Sequence, residues 1–575
     1  MKTDKQTKVL DTLKIDLEAA KASHSKMSAL VTTWVREYEG ILSPTGAQAT
    51  GRGANMTNTM TMTDSKKAVE SSLPSLTEPF ISQHDIVDIQ PKDAESSQKA
   101  VVMNKLINYQ FSKLPNTIEL VENVAKTVQV EGISFVKVGW SADSPSLETV
   151  AFENLLLDPS AKRMSDLKFA VEVRKVSISD ILANPSWYGK HTLESLKALT
   201  PASSGEYEDT NADEYGRDSS FNFDDRSRQL IEIYEYYGMY DLHNNGTLVP
   251  IIGIWCEDKL LKLSESPFPT SWNGIPFESC VYTRKTNSIY GGSISELIGD
   301  LQKVRSYLMR GVLGNIDKGY QGQRGVRLGS MNPLQFRKFA SGLDYEYNGD
   351  LNIVESTFNE TPQSIFQLME SLKTEQEEMS GVGRLNGGLD PRALNSGTSA
   401  TAANIVNTNS EKRLLQITRH ISEMLERVFR KWIDLNIMLL ENGSVRMGDR
   451  FLQVEGSMLE GSYDLEIVAG TSGAKQSRIQ NLQMMMGLMT SSGQQIPPSM
   501  LSQMANLLDM PALAEELENQ QNQPQEPSEL EQIGVQLELE EKQSVIAKNN
   551  ASAELDGAKS METFVNAQNA SYGLN

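Results

Sequence analysis

Residues 287–319 read NSIYGGSISELIGDLQKVRSYLMRGVLGNIDKG, and the fold is organised around this stretch. Its apolar residues recur at helical spacing while charged residues occupy the other faces, which predicts an amphipathic helix over residues 293–318. Gly291 and Gly292 precede the helix, and Ser293 stands three residues before Glu296, as in a capping box. At about 1.5 Å per residue the helix is roughly 35 to 40 Å long.

The composition is that of a globular protein with several structural regions. The chain has 575 residues, of which 39% are hydrophobic and 22% charged. It has no run of about eighteen apolar residues, and its charged N-terminus lacks an apolar signal core, so we expect a cytoplasmic product that does not span a membrane. Cys256 and Cys280 are the two cysteines. We expect buried small hydrophobes rather than a disulfide or a zinc site.

The formal net charge of −21 limits how the protein can meet nucleic acid. A nucleic-acid binder normally shows a basic face, and here such a face could exist only locally. Tight non-specific DNA binding is therefore disfavoured. A negative surface facing DNA would instead let the polymer slide past, because few phosphates would be neutralised and few counterions released.

The first 290 residues predict a mixed domain of helices and strands. A loop holding Asp158, Pro159 and Lys162 separates two strand-like segments and is typical of a simple turn. Residues 43–64 have little periodicity, and residues 201–228 are polar and acidic. The predicted helices are two over 5–38 and one each over 65–80, 94–111, 117–131 and 177–199; the strands are 85–91, 133–140, 230–242 and 248–261, with an Asn-Gly hairpin turn at 243–246.

Beyond the central helix the sequence predicts a small insert between two helical rods. The insert, residues 320–359, has short strands, a helix at 333–340 and four basic residues: Arg324, Arg327, Arg337 and Lys338. A partner helix follows over 361–379, capped by Thr361. The remaining predictions are a glycine-rich loop at 381–404, a long helix over 401–441, strands over 444–468, a helical region from 476, and a helical or disordered Glu- and Gln-rich tail at 513–575.

The sequence carries no recognisable catalytic motif. None of the five histidines lies in a metal-ligand motif, and neither a GxxxxGK[ST] phosphate loop nor a GxSxG nucleophile elbow occurs. We therefore predict no enzyme activity, no cofactor, no metal site and no catalytic residue.

The order of several segments resembles the portal (head-to-tail connector) proteins of tailed bacteriophages, in particular those of short-tailed phages. The resemblance covers roughly residues 34–487. Residues 43–64 are more irregular than in the family, and the tail after Pro497 matches no segment of it. The segments that carry the resemblance are WVREYEG, KKAVESSLPSL, AVVMNKLINYQF leading to VEGISFVKVGW, FENLLLDPSAKRMSDLKFAVEVRKV, DLQKVRSYLMRGVLGNIDKG and GLDPRALNSGTSATAANIV.

This resemblance implies an α+β portal fold and a ring of twelve subunits around a channel. The fold would have a mixed α/β wing, a helical stem, a small α/β clip and a helical crown. The implied regions are the wing at 1–290 and 405–470, the two stem helices at 291–319 and 360–380, the clip at 320–359, the channel (tunnel) loop at 381–404, the crown at 471–512 and an acidic C-terminal tail at 513–575.

The function implied by the resemblance is DNA passage rather than catalysis. The ring would assemble in the host cytoplasm, sit at one capsid vertex of the virion, and conduct double-stranded DNA during packaging and ejection. Its clip would dock the packaging motor through the terminase large subunit. Further implied partners are the major capsid protein, the scaffolding protein, and the head-tail adaptor and tail proteins.

We expect a mainly acidic channel with sparse basic rings. The candidates for transient phosphate contact are Lys303, Arg305, Arg310, Arg384 and Arg392; the alternative for each is a salt bridge to a neighbouring subunit. The candidates for motor contact are the basic residues of the clip, Arg324, Arg327, Arg337 and Lys338.

Two other functional classes stay open at this point. A DNA-processing enzyme of the packaging system is one, although the missing phosphate loop argues against a motor subunit; a metal-dependent nuclease would need no recognisable ligand spacing. The other is a structural protein that forms no ring, such as a scaffold or head-tail adaptor. The acidic helical tail favours that class, whereas the mixed wing-like domain speaks against a scaffold.

Overall fold

The computed structural model describes most of the chain up to residue 467 and a few positions beyond it. The described residues are 2–41, 60–81, 86–93, 96–141, 144–183, 222–225, 227–243, 245–321, 324–326, 332–340, 345–348, 353–355, 361–382, 400–441, 443–447, 450–467, 482–487, 489, 497, 500–501 and 504. The chain divides into two compact units, Met1–Ser472 and Gly473–Asn575. In the second unit, residues 482–487 are helical.

The first unit combines long helices with antiparallel sheets, which confirms the α+β class. Its helices lie close to the predicted ones, with the central helix at Ile294–Gln321 and the long helix at Ala400–Leu439. In chain order the α-helices are α1 (Lys2–Glu39), α2 (Asp64–Ile81), α3 (Ser97–Ser112), α4 (Thr117–Glu131), α5 (Ile178–Ala183), α6 (Ile294–Gln321), α7 (Pro333–Ala340), α8 (Gln363–Ser380) and α9 (Ala400–Leu439).

Two larger sheets and four two-stranded ribbons complete the described structure. The five-stranded sheet has the order β4-β5-β6-β7-β8 and the three-stranded sheet the order β3-β2-β9; β1-β16, β10-β11, β12-β13 and β14-β15 form the ribbons. The strands are β1 (Val87–Pro91), β2 (Ile133–Ser141), β3 (Ser144–Val150), β4 (Leu155–Leu157), β5 (Phe169–Ser177), β6 (Leu230–Tyr240), β7 (Val249–Cys256), β8 (Lys259–Glu265), β9 (Phe277–Val281), β10 (Thr283–Arg284), β11 (Gly291–Gly292), β12 (Arg324–Val326), β13 (Ile353–Glu355), β14 (Gly443–Met447), β15 (Arg450–Val454) and β16 (Tyr463–Ile467).

Helix α1 is continuous over 38 residues, so the prediction of two separate helices is wrong. Its apolar residues form two groups because the helix crosses two cores. Leu13 packs in a core with Trp255 of the five-stranded sheet, whereas Trp34 packs in the main core with the other helices. The residues between these groups include neither glycine nor proline, so nothing in the sequence ends the helix there.

The segment 248–261 is a hairpin rather than the single predicted strand. Strand β7 ends at Cys256, β8 begins at Lys259, and the two pair antiparallel. Glu257 has a positive φ of 49°, which turns the chain between them. The predicted Asn-Gly turn precedes β7, where the carboxylate of Asp241 accepts hydrogen bonds from the backbone N–H groups of Asn245 and Gly246.

The two larger sheets are joined by a buried ionic cluster. The ammonium group of Lys137, on β2, lies 3.2 Å from a carboxylate oxygen of Glu235, on β6, and also pairs with Glu172 of β5. The hydroxyl of Tyr237 donates a further hydrogen bond to Glu235. Burial disfavours the charged amine, but the surrounding phenol and carboxylates outweigh it and raise the pKa of Lys137. The cluster thus carries a stable buried charge that fixes one sheet on the other.

Both cysteines are buried and free, as predicted. Burial raises the pKa of each thiol to about 12, so neither is a thiolate at neutral pH. Among the helices that the structure describes, none has the combination of length and apolar composition needed to cross a bilayer.

Candidate nucleic-acid interface

Helix α6 is fixed at its start to helix α1. The hydroxyl of Ser293 accepts the backbone N–H of Glu296 at 3.2 Å, which is the N-cap contact that the sequence predicts. The hydroxyl of Ser295 donates to the carbonyl oxygen of Trp34, on α1, at 3.3 Å. The first turn of α6 is therefore anchored in the main core.

Two turns later, Gln302 joins α6 to two other helices. Its side-chain oxygen accepts hydrogen bonds from the backbone N–H and the hydroxyl of Ser65, at 2.8 and 2.9 Å. Its amide nitrogen donates to the carbonyl oxygen of Glu37 at 2.7 Å. The side chain thus satisfies backbone groups at the end of α1 and the start of α2.

Arg305 is a structural residue of the protomer rather than an open phosphate contact. It is only 7% exposed, pairs with Asp64 at the start of α2, and donates to the side-chain oxygen of Gln376, on α8, at 2.7 Å. It lies seven residues from both Ile298 and Val312, so it shares their buried face of the helix. This burial speaks against the expectation that Arg305 contacts DNA.

Lys303 and Arg310 are more accessible. The amine of Lys303 lies 2.7 Å from Glu37 and 3.1 Å from Asp300. Partial burial disfavours its charge, but these two carboxylates outweigh that effect and raise its pKa. Arg310 donates a long hydrogen bond of 3.4 Å to the carbonyl oxygen of Met60. Among the described residues it has no carboxylate partner.

The other predicted contact residues are only partly described. Arg384, Arg392 and Arg327 lie outside the described residues. Arg324 lies in strand β12, and Arg337 and Lys338 are exposed on the short helix α7. The segment 320–359 thus presents at least two exposed basic side chains, those of Arg337 and Lys338.

An exposed stripe on α6 was not foreseen from the sequence. Val304 is 46% exposed and Tyr307 61% exposed, and a Cβ added at Gly311 or Gly314 would meet no atom within 4 Å. The spacings of three, four and three residues place all four positions on one face of the helix. The helical spacing of these four positions is visible in the sequence. The sequence alone does not show whether an apolar residue on a helix is exposed or buried.

Helix α8 buries one face and exposes apolar side chains to either side of that face. Met369 and Gln376 are buried. Phe366 and Leu368 are exposed, and they are about 200° apart around the helix axis at 3.6 residues per turn. Apolar side chains therefore face solvent on two flanks of this single helix.

The described residues offer no constellation typical of metal chemistry. No group of three or more His, Cys, Asp or Glu side chains among them is placed to hold a metal ion. What the region around α6 and α8 provides is a pair of packed helices with accessible cations and exposed apolar flanks.

Comparison with known families identifies what this architecture is. The family model described as "Phage SU10 portal protein" matches residues 9–144 and 141–545, which is most of the chain. The chain belongs to this family of phage portal proteins. The resemblance drawn from the sequence is thereby confirmed, and one detail is corrected: the match continues past Pro497 into the tail.

Portal proteins are structural connectors of the bacteriophage capsid, and the family is not enzymatic. Two solved structures resemble this portal protein. The "neck of empty GTA particle computed with C6 symmetry" is 10% identical with a TM-score of 0.36, and covers 80% of this chain and 89% of its own. The "virion of native gene transfer agent (GTA) particle" is 9% identical with a TM-score of 0.35, and covers 74% of this chain and 89% of its own.

Proposed function

We propose that this portal protein forms a closed ring at one capsid vertex and that double-stranded DNA enters and leaves the capsid through the ring. Membership of the portal family supports the connector role. The observation that carries the ring is the exposure of apolar side chains on both flanks of α8, together with the open stripe on α6. A head-to-tail ring needs two different surfaces on each subunit, one for each neighbour.

The regions of the chain then take the roles that the sequence resemblance implies. Helices α6 and α8 are the stem, residues 320–359 the clip that docks the terminase large subunit, and residues 381–404 the loop that reaches into the channel. The wing and the crown contact the major capsid, scaffolding, adaptor and tail proteins. Twelve copies of a chain with net charge −21 make an acidic collar, through which DNA slides with few lasting phosphate contacts.

Within that collar we propose Lys303 and Arg310 as the phosphate contacts of the stem, together with Arg384 and Arg392 of the loop. Lys303 keeps its amine at the surface although it is paired, and Arg310 makes only one long hydrogen bond among the described residues. Arg337 and Lys338 are exposed and stay our candidates for the motor contact, with Arg324 and Arg327.

The test is whether the α6 stripe holds neighbouring subunits together. Native mass spectrometry and negative-stain class averages of the wild-type chain should show a closed ring of about a dozen subunits. The double variant V304E/Y307E places two carboxylates in the proposed interface and should yield monomers or open oligomers. Because both side chains are exposed in the protomer, the variant should keep the wild-type circular dichroism spectrum.

The matched control is V101E/Y109E on helix α3. It changes the same two residue types on another helix, at exposed fractions of 49% and 50%. We expect this control to form rings. If V304E/Y307E forms rings as readily as the control, or if both variants lose them, the α6 stripe is not the subunit interface. A wild-type chain that forms a stable dimer would overturn the ring itself.

A further inference from the structure

A cleft of about 540 Å³ lies away from the stem stripe, between the loop that follows β4 and the start of the segment leading to α6. Its walls come from residues 162–166, 279–281, 284–285 and 287–290 and from helix α9. On a chain with a net charge of −21, the lining is unusual, because it contains five lysine or arginine side chains and two carboxylates.

The loop that forms one wall is held in a defined shape. One carboxylate oxygen of Asp158 accepts hydrogen bonds from the N–H and hydroxyl of Ser160, at 2.8 and 2.7 Å. The other accepts the N–H of Lys168 at 3.3 Å. The side-chain amide of Asn273 donates to the carbonyl oxygens of Ser165 and Leu167. The Asp-Pro turn seen in the sequence thus stabilises a preformed loop through the hydrogen bonds of Asp158.

The two cations on this loop are free. Lys162 and Arg163 are exposed, and neither has an ion-pair or hydrogen-bond partner for its side chain among the described residues. Two unpaired cations at consecutive positions make the local potential positive, which favours an anionic ligand. Because the loop is preformed, binding an anionic ligand requires little further loss of conformational entropy from the loop.

The remaining cations of the cleft are paired at its walls. Arg284 pairs with Glu423, Lys285 with Glu296 at 2.7 Å, and Arg427 with Glu278 at 2.7 Å. The Nδ1 of His420 donates a hydrogen bond of 3.0 Å to the carbonyl oxygen of Val281. Burial and the nearby Arg284 lower the pKa of His420, so it adds no charge at neutral pH. The paired cations stabilise the walls of the cleft. The unpaired loop cations, Lys162 and Arg163, attract an anionic ligand.

The cleft also has apolar walls. Met164, Val281, Ile289 and Tyr290 line it together with the cations. A DNA duplex presents phosphates and sugars on its outer face and its base edges in the grooves, so it has no flexible apolar side chain to place in a small cleft. A peptide can place carboxylates and an apolar side chain within a few residues of one another. The mixed lining therefore favours a peptide over DNA.

We propose that this cleft binds an acidic peptide segment of a partner protein, with its carboxylates at Lys162 and Arg163 and an apolar side chain against Met164 and Tyr290. This site does not depend on the proposed ring or on DNA passage. It gives a strongly acidic connector a surface to which an acidic partner is attracted rather than repelled.

The experiment measures fluorescence anisotropy with the full-length chain and three labelled probes: the peptide EEFDEE, the uncharged peptide QQFNQQ and a 20-base-pair DNA duplex. At low salt, EEFDEE should bind at least about tenfold more tightly than QQFNQQ, and added salt should weaken it. The double variant K162E/R163E should lose about tenfold or more of that affinity. Its thermal unfolding should match that of the wild-type chain, because both side chains are exposed and unpaired.

The matched control is K92E/K105E, which makes the same change in net charge at two exposed lysines outside the cleft. Their side chains also have no ion-pair or hydrogen-bond partner among the described residues. It should bind EEFDEE within about twofold of the wild-type affinity. Equal losses in both double variants would mean that net charge alone governs binding, and would overturn the site. Equal affinity of the wild-type chain for EEFDEE and QQFNQQ would also overturn the site. A loss of duplex binding in K162E/R163E with peptide binding unchanged would assign the cleft to DNA instead.

Discussion

His24 is the least compensated polar residue of helix α1. Its ring stacks on that of Phe152 with centroids 4.5 Å apart, and neither ring nitrogen has a hydrogen-bond partner among the described residues. Burial lowers its pKa from 6.5 to about 4. The native state therefore holds His24 neutral at a pH where the unfolded chain already binds a proton.

This difference predicts an acid-labile contribution to stability. Well above pH 6.5 His24 is neutral in both states and adds no pH dependence to the stability. As the pH falls from about 6.5 towards 4, the unfolded state gains a proton that the native state does not, so the free energy of unfolding falls by up to ~1.4 kcal/mol per pH unit from this group. His24→Phe keeps an aromatic ring against Phe152 and should flatten this part of the profile. Urea unfolding at pH 7, 5.5 and 4.5 measures the slope.

The control for this prediction is His243→Phe. His243 is exposed and pairs with the exposed Glu265 at the end of β8. We expect the slope of that variant to follow the wild-type chain. A His24→Phe profile parallel to wild type across the same interval would contradict the assignment of the slope to His24.

At the scale of elements, Arg305 links three helices through its side-chain contacts. Its guanidinium pairs with the start of α2 and with Gln376 of α8, while its own position is on α6. Arg305→Met would keep the length of the side chain but leave Asp64 and Gln376 without this partner. Removing one member of a largely buried pair should lower the free energy of unfolding by about 3 kcal/mol. Chemical denaturation followed by tryptophan fluorescence measures the change.

Arg310→Met on the same helix is the matched comparison. Arg310 is half-buried and makes one long hydrogen bond to a carbonyl oxygen, so its loss should cost less than about 1 kcal/mol. Equal losses in the free energy of unfolding for the two substitutions would argue against Arg305 as the link between the three helices. A large loss of stability for Arg305→Met alone would also explain any loss of ring formation without a contact to DNA.

Helix α6 shows which features of an element the sequence can predict. Its start follows from local chemistry at Ser293, and its length follows from a strong apolar period, so both were predictable. The role of Arg305 was not, because its partner Asp64 is distant in the sequence. The expectation that the charged residues of the helix occupy its other faces is wrong for Arg305, which lies seven residues from Ile298 and from Val312 and shares their buried face.

At the scale of the molecule, the first compact unit depends on pairing between distant segments. Strand β1 near residue 90 pairs antiparallel with β16, from Val87 opposite Ile467 to Pro91 opposite Tyr463. The hydrophobic pattern predicted both strands, but strand partners more than 370 residues apart cannot be read from local periodicity. The same holds for the cleft, whose walls come from segments near residues 163, 285 and 420.

This pairing predicts where the chain can be shortened. Leu459 and Leu465 are buried in the main core, and every described buried apolar residue of that core lies before residue 472. A chain of residues 1–472 should therefore unfold cooperatively. A chain of residues 1–455 lacks β16 and both leucines; it leaves β1 as an unpaired edge and opens the core beside α9. We expect it to melt at a temperature lower by ten degrees or more, or to lose cooperativity altogether. Circular dichroism melts of the two chains at equal concentration make the comparison. Equal transitions would mean that β16 does not contribute to the stability of the first compact unit.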